Sequence, residues 1–180
     1  SDLYVIPRFS SAFVNPFSEI PSIDILCSYY TKDGKPLESA PEYILRKAHN
    51  EFKKSTGFVF KAMGELEYYV ISKTDTLYPA KDQKGYADSQ PFSKWENLRR
   101  EAMNLIAQAG GKIKYGHSEV GNFTSGDEYY EQQEIEFQPV EAEDAVDQLL
   151  IGKWILRMLG KKHNVNISFA PNITVGKAGS

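Results

Sequence analysis

Two pairs of glutamates lie inside apolar stretches of the chain, at a spacing that places both members of a pair on one strand face. The first pair is Glu65 and Glu67, and the second is Glu134 and Glu136. One apolar residue separates the members of each pair. Because residues two apart in a β-strand project to the same side, each pair would present two carboxylates together.

A third alternating pair, His117 and Glu119, lies near the end of another predicted strand. Carboxylates on adjacent strands repel one another unless a cation lies between them, and Mg²⁺ and Mn²⁺ prefer oxygen ligands. Two such ions could hold a triphosphate and stabilise a transferring phosphoryl group. A solvated strand face, which is common in antiparallel sheets, explains the same spacing. The spacing alone leaves both interpretations open and slightly favours the solvated face.

The composition limits the classes of function. The chain has 180 residues, of which 41% are hydrophobic and 25% charged, with a formal charge of −3. This length is enough for one domain with a sizeable core. The negative charge argues against nucleic acid as a partner, and no apolar run is long enough to span a membrane. Cys27 is the single cysteine, which excludes an internal disulfide and favours a reducing, cytoplasmic location.

The hydrophobic periodicity predicts three helices and several strands around these glutamates. The first helix has Pro41 at its first position and Gly57 after its end, and Ser93 with Glu96 has the form of a capping box. The polar stretch 74–90, which contains Gly and Pro, is predicted to be an ordered excursion or a mobile loop. Helices are predicted for 41–56, 93–108 and 141–162, and strands for 23–30, 58–60, 64–71, 112–120, 129–140 and 166–171. With an antiparallel pair joined by residues 121–127, this order predicts one α+β domain with a largely antiparallel sheet and packed helices.

Several short segments resemble, in order, those of glutamine synthetases. Residues 64–69 resemble the family's Glu-x-Glu-aromatic-aromatic segment, and residues 116–120 its His-x-Glu-Val segment. Residues 131–135 are similar to its Gly-Gln-x-Glu-Ile, and residues 169–172 stand in the place of Phe-Met-Pro-Lys. The tail Gly179-Ser180 resembles the start of Asn-Gly-Ser-Gly-Met-His. Order and spacing agree from about Leu3 to the last residue.

The resemblance implies a glutamine synthetase/guanido kinase-type catalytic domain and an ATP-dependent ligase that joins ammonia to glutamate through a γ-glutamyl phosphate. His117 would lie near the nucleotide phosphates, and Gly179 in the loop beside the amino-acid substrate. The resemblance selects Glu134 over Glu136, which becomes a bystander. No catalytic residue is assigned within these 180 residues. The implied reaction needs no covalent enzyme intermediate, so the protein would act by positioning and charge neutralisation. The resemblance implies that Glu67, Glu119 and Glu134 would ligate one Mg²⁺ or Mn²⁺ ion. Glu65 would contribute to a second ion.

Departures from the family's pattern leave the substrate open. Ala178 stands where the family usually has Asn, Asn172 where Lys is common, and Lys114 where an acidic nucleotide contact is expected. The link between Glu119 and Glu134 is also longer than in the bacterial type. A γ-glutamyl-amine (polyamine-type) ligase and a non-catalytic glutamine synthetase-like scaffold are therefore alternatives. The intact glutamates count against the scaffold.

The resemblance also implies that residues 1–180 are part of a catalytic domain, without the family's small N-terminal domain and its C-terminal half. We therefore predict that these 180 residues alone have no ligase activity, which an ATPase or γ-glutamyl transfer assay checks. The expected partners are small molecules, namely glutamate, ammonia and ATP, with no nucleic acid and no membrane. For the full-length protein the resemblance implies a homo-oligomer.

Overall fold

The computed structural model describes residues 3–179, in which three α-helices pack on antiparallel sheets and a short 3₁₀-helix spans Phe9–Ser11. Ser1, Asp2 and Ser180, the last residue of the tail compared above, lie outside the described residues. The helices are α1 (Pro41–Thr56), α2 (Glu96–Gln108) and α3 (Ala142–Lys162). The strands are β1 (Tyr4–Pro7), β2 (Phe13–Val14), β3 (Ile23–Asp24), β4 (Cys27–Tyr30), β5 (Lys61–Ala62), β6 (Glu65–Lys73), β7 (Ile113–Ser125), β8 (Glu128–Phe137), β9 (Val140–Glu141) and β10 (Asn166–Ser168). The predicted α+β class is confirmed.

The main sheet has the strand order β10-β6-β8-β7, with every neighbouring pair antiparallel. Strands β6 and β8 pair without interruption over nine residues, from Glu65 opposite Glu136 to Lys73 opposite Glu128. The remaining strands form three two-stranded sheets, β1-β4, β2-β3 and β5-β9. The main sheet therefore places Glu65, Glu67, Glu134 and Glu136 on its two central strands, and Glu119 on the outer strand β7.

The hydrophobic core lies on one face of this sheet. Leu66 and Ile135, the residues between the paired glutamates, are 4% and 0% exposed. Ile155 and Leu156 of α3 are fully buried in the same cluster, and Leu98 of α2 joins them. Because alternate strand residues face opposite sides, packing this face under the helices turns the glutamates to the other face.

Among residues 3–179 no helix has the length and apolarity that crossing a bilayer requires.

The ends of the helices follow the sequence only in part. Helix α1 spans the predicted residues, and Gly57 closes it at φ 74°, donating its N–H to the Lys53 carbonyl at 2.9 Å. Helix α3 begins one residue later than predicted, because Val140 and Glu141 pair with β5 instead. Helix α2 begins at Glu96, and the predicted capping box is wrong.

The actual cap of α2 comes from another element. The Glu131 carboxylate of β8 accepts the backbone N–H groups of Lys94 and Trp95 at 2.9 and 3.0 Å. Ser93 Oγ donates to the same carboxylate at 2.9 Å, and the Glu96 side chain accepts the Gln90 N–H at 2.7 Å. Ser93 and Glu96 therefore form hydrogen bonds with other residues instead of with each other.

The predicted strands differ from the observed ones where the availability of a pairing partner determines whether a strand forms and where it ends. Residues 58–60 form no strand, and Phe58 is 72% exposed. The predicted strand 23–30 is divided into β3 and β4, because these pair with β2 and β1 respectively. The last strand ends at Ser168 rather than 171. A short apolar run does not by itself determine whether a neighbouring strand is available.

The predicted 121–127 loop is mostly strand. Strand β7 continues to Ser125, and the hairpin reverses at Gly126 and Asp127, where Gly126 takes φ 60°. Phe123 in the extension is 3% exposed and stacks on Tyr130 at 4.6 Å between ring centroids. The longer link between Glu119 and Glu134 is thus an extended β-hairpin.

The stretch 74–90 contains no helix or strand, as predicted, yet part of it follows the outer edge of β7. We call residues 83–88 the edge segment. Three alternate backbone N–H groups of this segment donate to three alternate β7 carbonyl oxygens, at 2.9, 3.2 and 3.0 Å. The pairs are Gln83 with Asn122, Gly85 with Val120, and Ala87 with Ser118.

Candidate metal centre

The four strand glutamates form two cross-strand pairs on the face of the sheet away from the core. Glu67 is directly opposite Glu134, and Glu65 is directly opposite Glu136. Directly opposed side chains on antiparallel strands have Cβ atoms about 4.5–5.5 Å apart, and like charges there are destabilising. The register therefore concentrates negative charge, which makes a bound cation favourable.

His117 lies among these carboxylates. It is opposite Glu134 in the β7-β8 register, and its Nε2 is 3.5 Å from Glu134 Oε2 and 3.8 Å from Glu136 Oε1. The potential ligand atoms of these three residues lie within 4.8 Å of one another. The Nδ1 atom of His117 is 3.5 Å from Glu119 Oε1, and Tyr115 stacks on the imidazole ring at 5.6 Å. The imidazole thus connects the two sequence-predicted carboxylates Glu119 and Glu134.

Glu119 reaches the site from a β-bulge. The β7-β8 register shifts between Ser118, opposite Gln133, and Asn122, opposite Glu131. Three β7 residues, 119–121, therefore stand opposite the single residue Gln132. Bulges bend a strand and change the direction of its side chains. Here the bulge holds Glu119 close enough to raise the pKa values of both Glu67 and Glu134.

Burial and the surplus of negative charge raise the pKa values of two carboxylates at this site. Burial, followed by the charge of Glu67, raises the pKa of Glu134 to about 7. The pKa of Glu67 is also raised, first by burial and then by the charge of Glu119, although a hydrogen bond from Gln132 opposes the rise. Both carboxylates thus lack a sufficient positive charge in the metal-free protein.

Glu136 differs from its neighbours. Lys114 Nζ donates to its Oε2 at 2.8 Å, and this contact, followed by one from Tyr115, holds the pKa of Glu136 below its usual range. Lys114, whose position departs from the family's pattern, is therefore the ion-pair partner of Glu136. The structure brings Glu136 into the group with His117 and Glu134, whereas the sequence comparison sets it aside. Its charge is already neutralised, which makes it the weakest candidate ligand of that group.

The tail carrying Gly179 is held beside the carboxylates. Gln132 Nε2 donates both to Glu67 Oε2 at 2.8 Å and to the Gly179 carbonyl at 3.2 Å. Tyr69 Oη donates to the Ala178 carbonyl at 2.6 Å. A Cβ atom on Gly179 would lie 2.5 Å from the Pro171 carbonyl oxygen, so a side chain has no room there. Gly179 and the glutamates therefore belong to one region of the molecule.

Gln132 is the residue of this site that the sequence did not single out. It is 1% exposed, and its amide links Glu67, Gly179 and the bulge, where its Oε1 accepts the Gly121 N–H at 3.0 Å. The signal was present, because Gln132 occupies the Gln position of the segment similar to Gly-Gln-x-Glu-Ile. The segment predicts Glu134 as a ligand, whereas the role of Gln132 becomes apparent only from its hydrogen bonds in the structure.

The donor set fits a hard divalent cation. Within residues 3–179, no Lys or Arg forms an ion pair with Glu65, Glu67 or Glu134. Carboxylate oxygens with one imidazole nitrogen suit Mg²⁺ or Mn²⁺. A divalent cation on this face would offset the burial and the mutual repulsion that raise the pKa values of Glu67 and Glu134.

Comparison with known proteins gives consistent matches. The sequence model of the family described as "Glutamine synthetase, catalytic domain" matches residues 38–180. Glutamine synthetase of Thermus thermophilus is 28% identical over 159 residues, 87% of this chain and 34% of the relative. Glutamine synthetase of Clostridium saccharobutylicum is 25% identical over 185 residues, which cover 100% of this chain and 40% of the relative. A Plasmodium falciparum glutamine synthetase structure superposes with a TM-score of 0.83 at 19% identity, over 99% of this chain and 40% of that chain. The chain thus spans 34–40% of these relatives.

Proposed function

Since this chain belongs to the glutamine synthetase family through its catalytic domain, we propose that it carries the metal-binding face of an ATP-dependent ligase. Glu67, Glu119 and Glu134 would hold one Mg²⁺ or Mn²⁺ ion, and Glu65 would contribute to a second. The observation that carries this proposal is the direct opposition of Glu67 and Glu134, with the pKa of Glu134 raised to about 7. Two facing carboxylates without a Lys or Arg partner are stabilised by a shared cation.

The reaction we propose for the full-length protein joins ammonia to glutamate. An oxygen of the substrate's side-chain carboxylate attacks the terminal phosphorus of ATP, and ADP leaves. The ammonia nitrogen then attacks the acyl carbon of the γ-glutamyl phosphate, phosphate leaves with the bonding electrons, and the nitrogen loses a proton. Metal ions bound to the glutamates would supply positive charge to the phosphate oxygens.

The residues of this chain would position the reactants in that reaction. His117, stacked on Tyr115 and next to Glu134, would lie near the nucleotide phosphates. Gln132 and Tyr69 hold the carbonyl groups of Gly179 and Ala178, and the tail would lie beside the amino-acid substrate. Such positioning contributes to catalysis by fixing the reacting groups in a productive geometry.

A γ-glutamyl-amine ligase is the second candidate, and Ala178 favours it. The family usually has Asn at this position, whereas the Ala178 methyl group has no hydrogen-bonding capacity. Its main chain is nevertheless held at both ends, because its N–H donates to Gln83 Oε1 at 2.7 Å and its carbonyl accepts from Tyr69. Turnover of the full-length protein with ammonia and with polyamines would separate the two reactions. We also propose that the full-length protein is a homo-oligomer, which light scattering tests.

Calorimetric titration with Mn²⁺ tests the metal role on the present chain. We expect wild-type protein to bind Mn²⁺ and Glu67→Ala to bind it at least about tenfold more weakly, as for loss of a metal ligand. Glu128→Ala is the matched control, because Glu128 lies on the same β8 strand but at the exposed hairpin end. Absence of Mn²⁺ binding to the wild type, or equal affinity of Glu67→Ala, would reject the proposal.

A further inference from the structure

The position of Glu119 requires an explanation that the main sheet does not provide. Residues 119–121 form the bulge of β7, where three residues face one residue of β8. Regular ladder pairing ends at Ser118 and resumes at Asn122. From the β8 side, the described contact to the bulge is the Gln132 amide to the Gly121 N–H, at 3.0 Å. The backbone of Glu119 itself therefore depends on other contacts.

The edge segment supplies those contacts from the outer side. Its N–H groups donate hydrogen bonds to the carbonyl oxygens of Ser118, Val120 and Asn122. The segment is therefore hydrogen-bonded to β7 before, within and after the bulge. Antiparallel strand pairing has the same two-residue repeat. Glu119 lies between the first two of these bonded residues.

Gly85 lies at the closest approach between the edge segment and the bulge. A Cβ atom on Gly85 would be 2.7 Å from the carbonyl oxygen of Glu119 and 3.1 Å from Cβ of Asn122. The first of these neighbours is backbone, which cannot rotate away like the end of a flexible side chain. A larger residue at this position must therefore displace the Glu119 backbone or the edge segment.

A second tether joins the two segments beside Glu119. Ser118 is 2% exposed, and its Oγ donates to the Asp88 carbonyl at 2.9 Å and lies 2.8 Å from Ser93 Oγ. Arg99 Nη1 donates to the same hydroxyl at 3.2 Å. Ser118 thus anchors the bulge in the buried polar contacts between sheet and α2, while its neighbour Glu119 reaches the carboxylate face.

We propose that the edge segment is a positioning element for the metal centre, and that Gly85 sets the location of the Glu119 carboxylate. This inference rests on the proposed metal role of Glu119. Gly85 is not proposed as a ligand; it allows the close approach that holds the Glu119 backbone. Groups outside the ligand set that orient metal ligands commonly change metal affinity by 10–100-fold.

Mn²⁺ calorimetry on three variants, with thermal unfolding of the metal-free proteins, tests this inference. We expect Gly85→Ala to weaken Mn²⁺ binding about tenfold, as for other ligand-orienting groups. Lys84→Ala, an exposed neighbour in the same segment, should retain wild-type affinity. Ser118→Ala removes the second tether without adding bulk and should also weaken binding, so it decides the question if Gly85→Ala does not fold.

The outcomes separate the inference from the proposed function. If the wild type binds no Mn²⁺, the metal role itself is wrong. If the wild type binds Mn²⁺ and the folded Gly85→Ala and Ser118→Ala variants lose thermal stability but keep the wild-type dissociation constant, the role is only structural and the inference is overturned. A weakened dissociation constant in either folded variant, with Lys84→Ala unchanged, supports it.

Discussion

At the scale of single residues, the proposed metal role of Glu134 predicts that metal binding depends on pH. Burial and the charge of Glu67 raise its pKa to about 7, and a metal ligand must be deprotonated. Mn²⁺ affinity should therefore rise as the pH increases from 5 to 7 and level off above that. Calorimetry across this range checks the expectation, and Glu134→Gln should bind Mn²⁺ weakly with a much flatter pH dependence. An affinity that does not change between pH 5 and 8 would contradict it.

The proton on Glu134 affects the stability of the metal-free protein in the opposite direction. The pKa of Glu134 is higher in the folded than in the unfolded chain, so the folded state binds more protons between about pH 4.5 and 7. The contribution of Glu134 to the free energy of unfolding is therefore fully present at lower pH and is lost as the pH rises through 7. Urea unfolding in the presence of a chelator should show this loss in the wild type and a smaller one in Glu134→Gln.

Gln132 provides a prediction about the tail. Its Nε2 bonds both Glu67 and the Gly179 carbonyl, and it is buried. Gln132→Leu should destabilise the fold by about 1–3 kcal/mol, because it leaves buried polar groups unpaired. It should also speed amide hydrogen exchange around Gly179. Gln138→Leu, at an exposed position after β8, is the control, and equal exchange in the two variants would rule out the tether.

At the scale of elements, a strand residue caps a helix. The Glu131 carboxylate accepts hydrogen bonds from two backbone N–H groups at the start of α2 and from Ser93, Tyr129 and Gln133. Glu131→Gln removes the charge near the positive end of the helix and replaces an acceptor with a donor. We expect a loss of roughly 2–3 kcal/mol in the free energy of unfolding, measured in urea. Glu128→Gln, exposed on the same strand, should change it by less than about 0.5 kcal/mol.

The same elements show what the sequence predicts and what it does not. Pro41 and Gly57 define the ends of α1 through local backbone preferences, so that prediction is confirmed. The Ser93 and Glu96 pair has the local form of a capping box, but Glu131 supplies a carboxylate from 38 residues beyond Ser93. A competing partner that is distant in sequence leaves no trace in the local pattern. The hairpin extension likewise depends on Phe123 finding Tyr130 across the turn.

The candidate site, too, is predicted in part by the local sequence pattern and determined in part by tertiary packing. Alternation predicts that Glu65 and Glu67 share a face, and the structure agrees, because Leu66 between them is buried. The residues that lie opposite Glu65 and Glu67 depend on the register of the neighbouring strand, which sets Glu134 opposite Glu67. The bulge that turns Glu119 toward His117 and the ion pair that occupies Glu136 arise only from tertiary packing.

At the scale of the whole molecule, the proposed metal site would link metal binding to folding. A ligand that binds only the folded state at 100 times its dissociation constant adds about 2.7 kcal/mol to the free energy of unfolding. For a chain of this size that corresponds to an increase of roughly 5–10 °C in Tm. Thermal scans with Mn²⁺ should show this increase, and a chelator should reverse it. The increase should be absent in Glu134→Gln, and an unchanged wild-type Tm at saturating Mn²⁺ would refute the linkage.

The edge segment has a further consequence for the behaviour of the protein in solution. An open sheet edge offers unpaired backbone groups to other chains and is a recognised origin of aggregation. The sheet ends on one side at β10, which has only three residues, and on the other at β7, where residues 83–88 hydrogen-bond to carbonyl groups within and on both sides of the bulge. Proteolytic cleavage within this segment would uncover the longest strand of the molecule. The nicked protein should then form intermolecular β-structure, with a rise in thioflavin fluorescence before any loss of helical content.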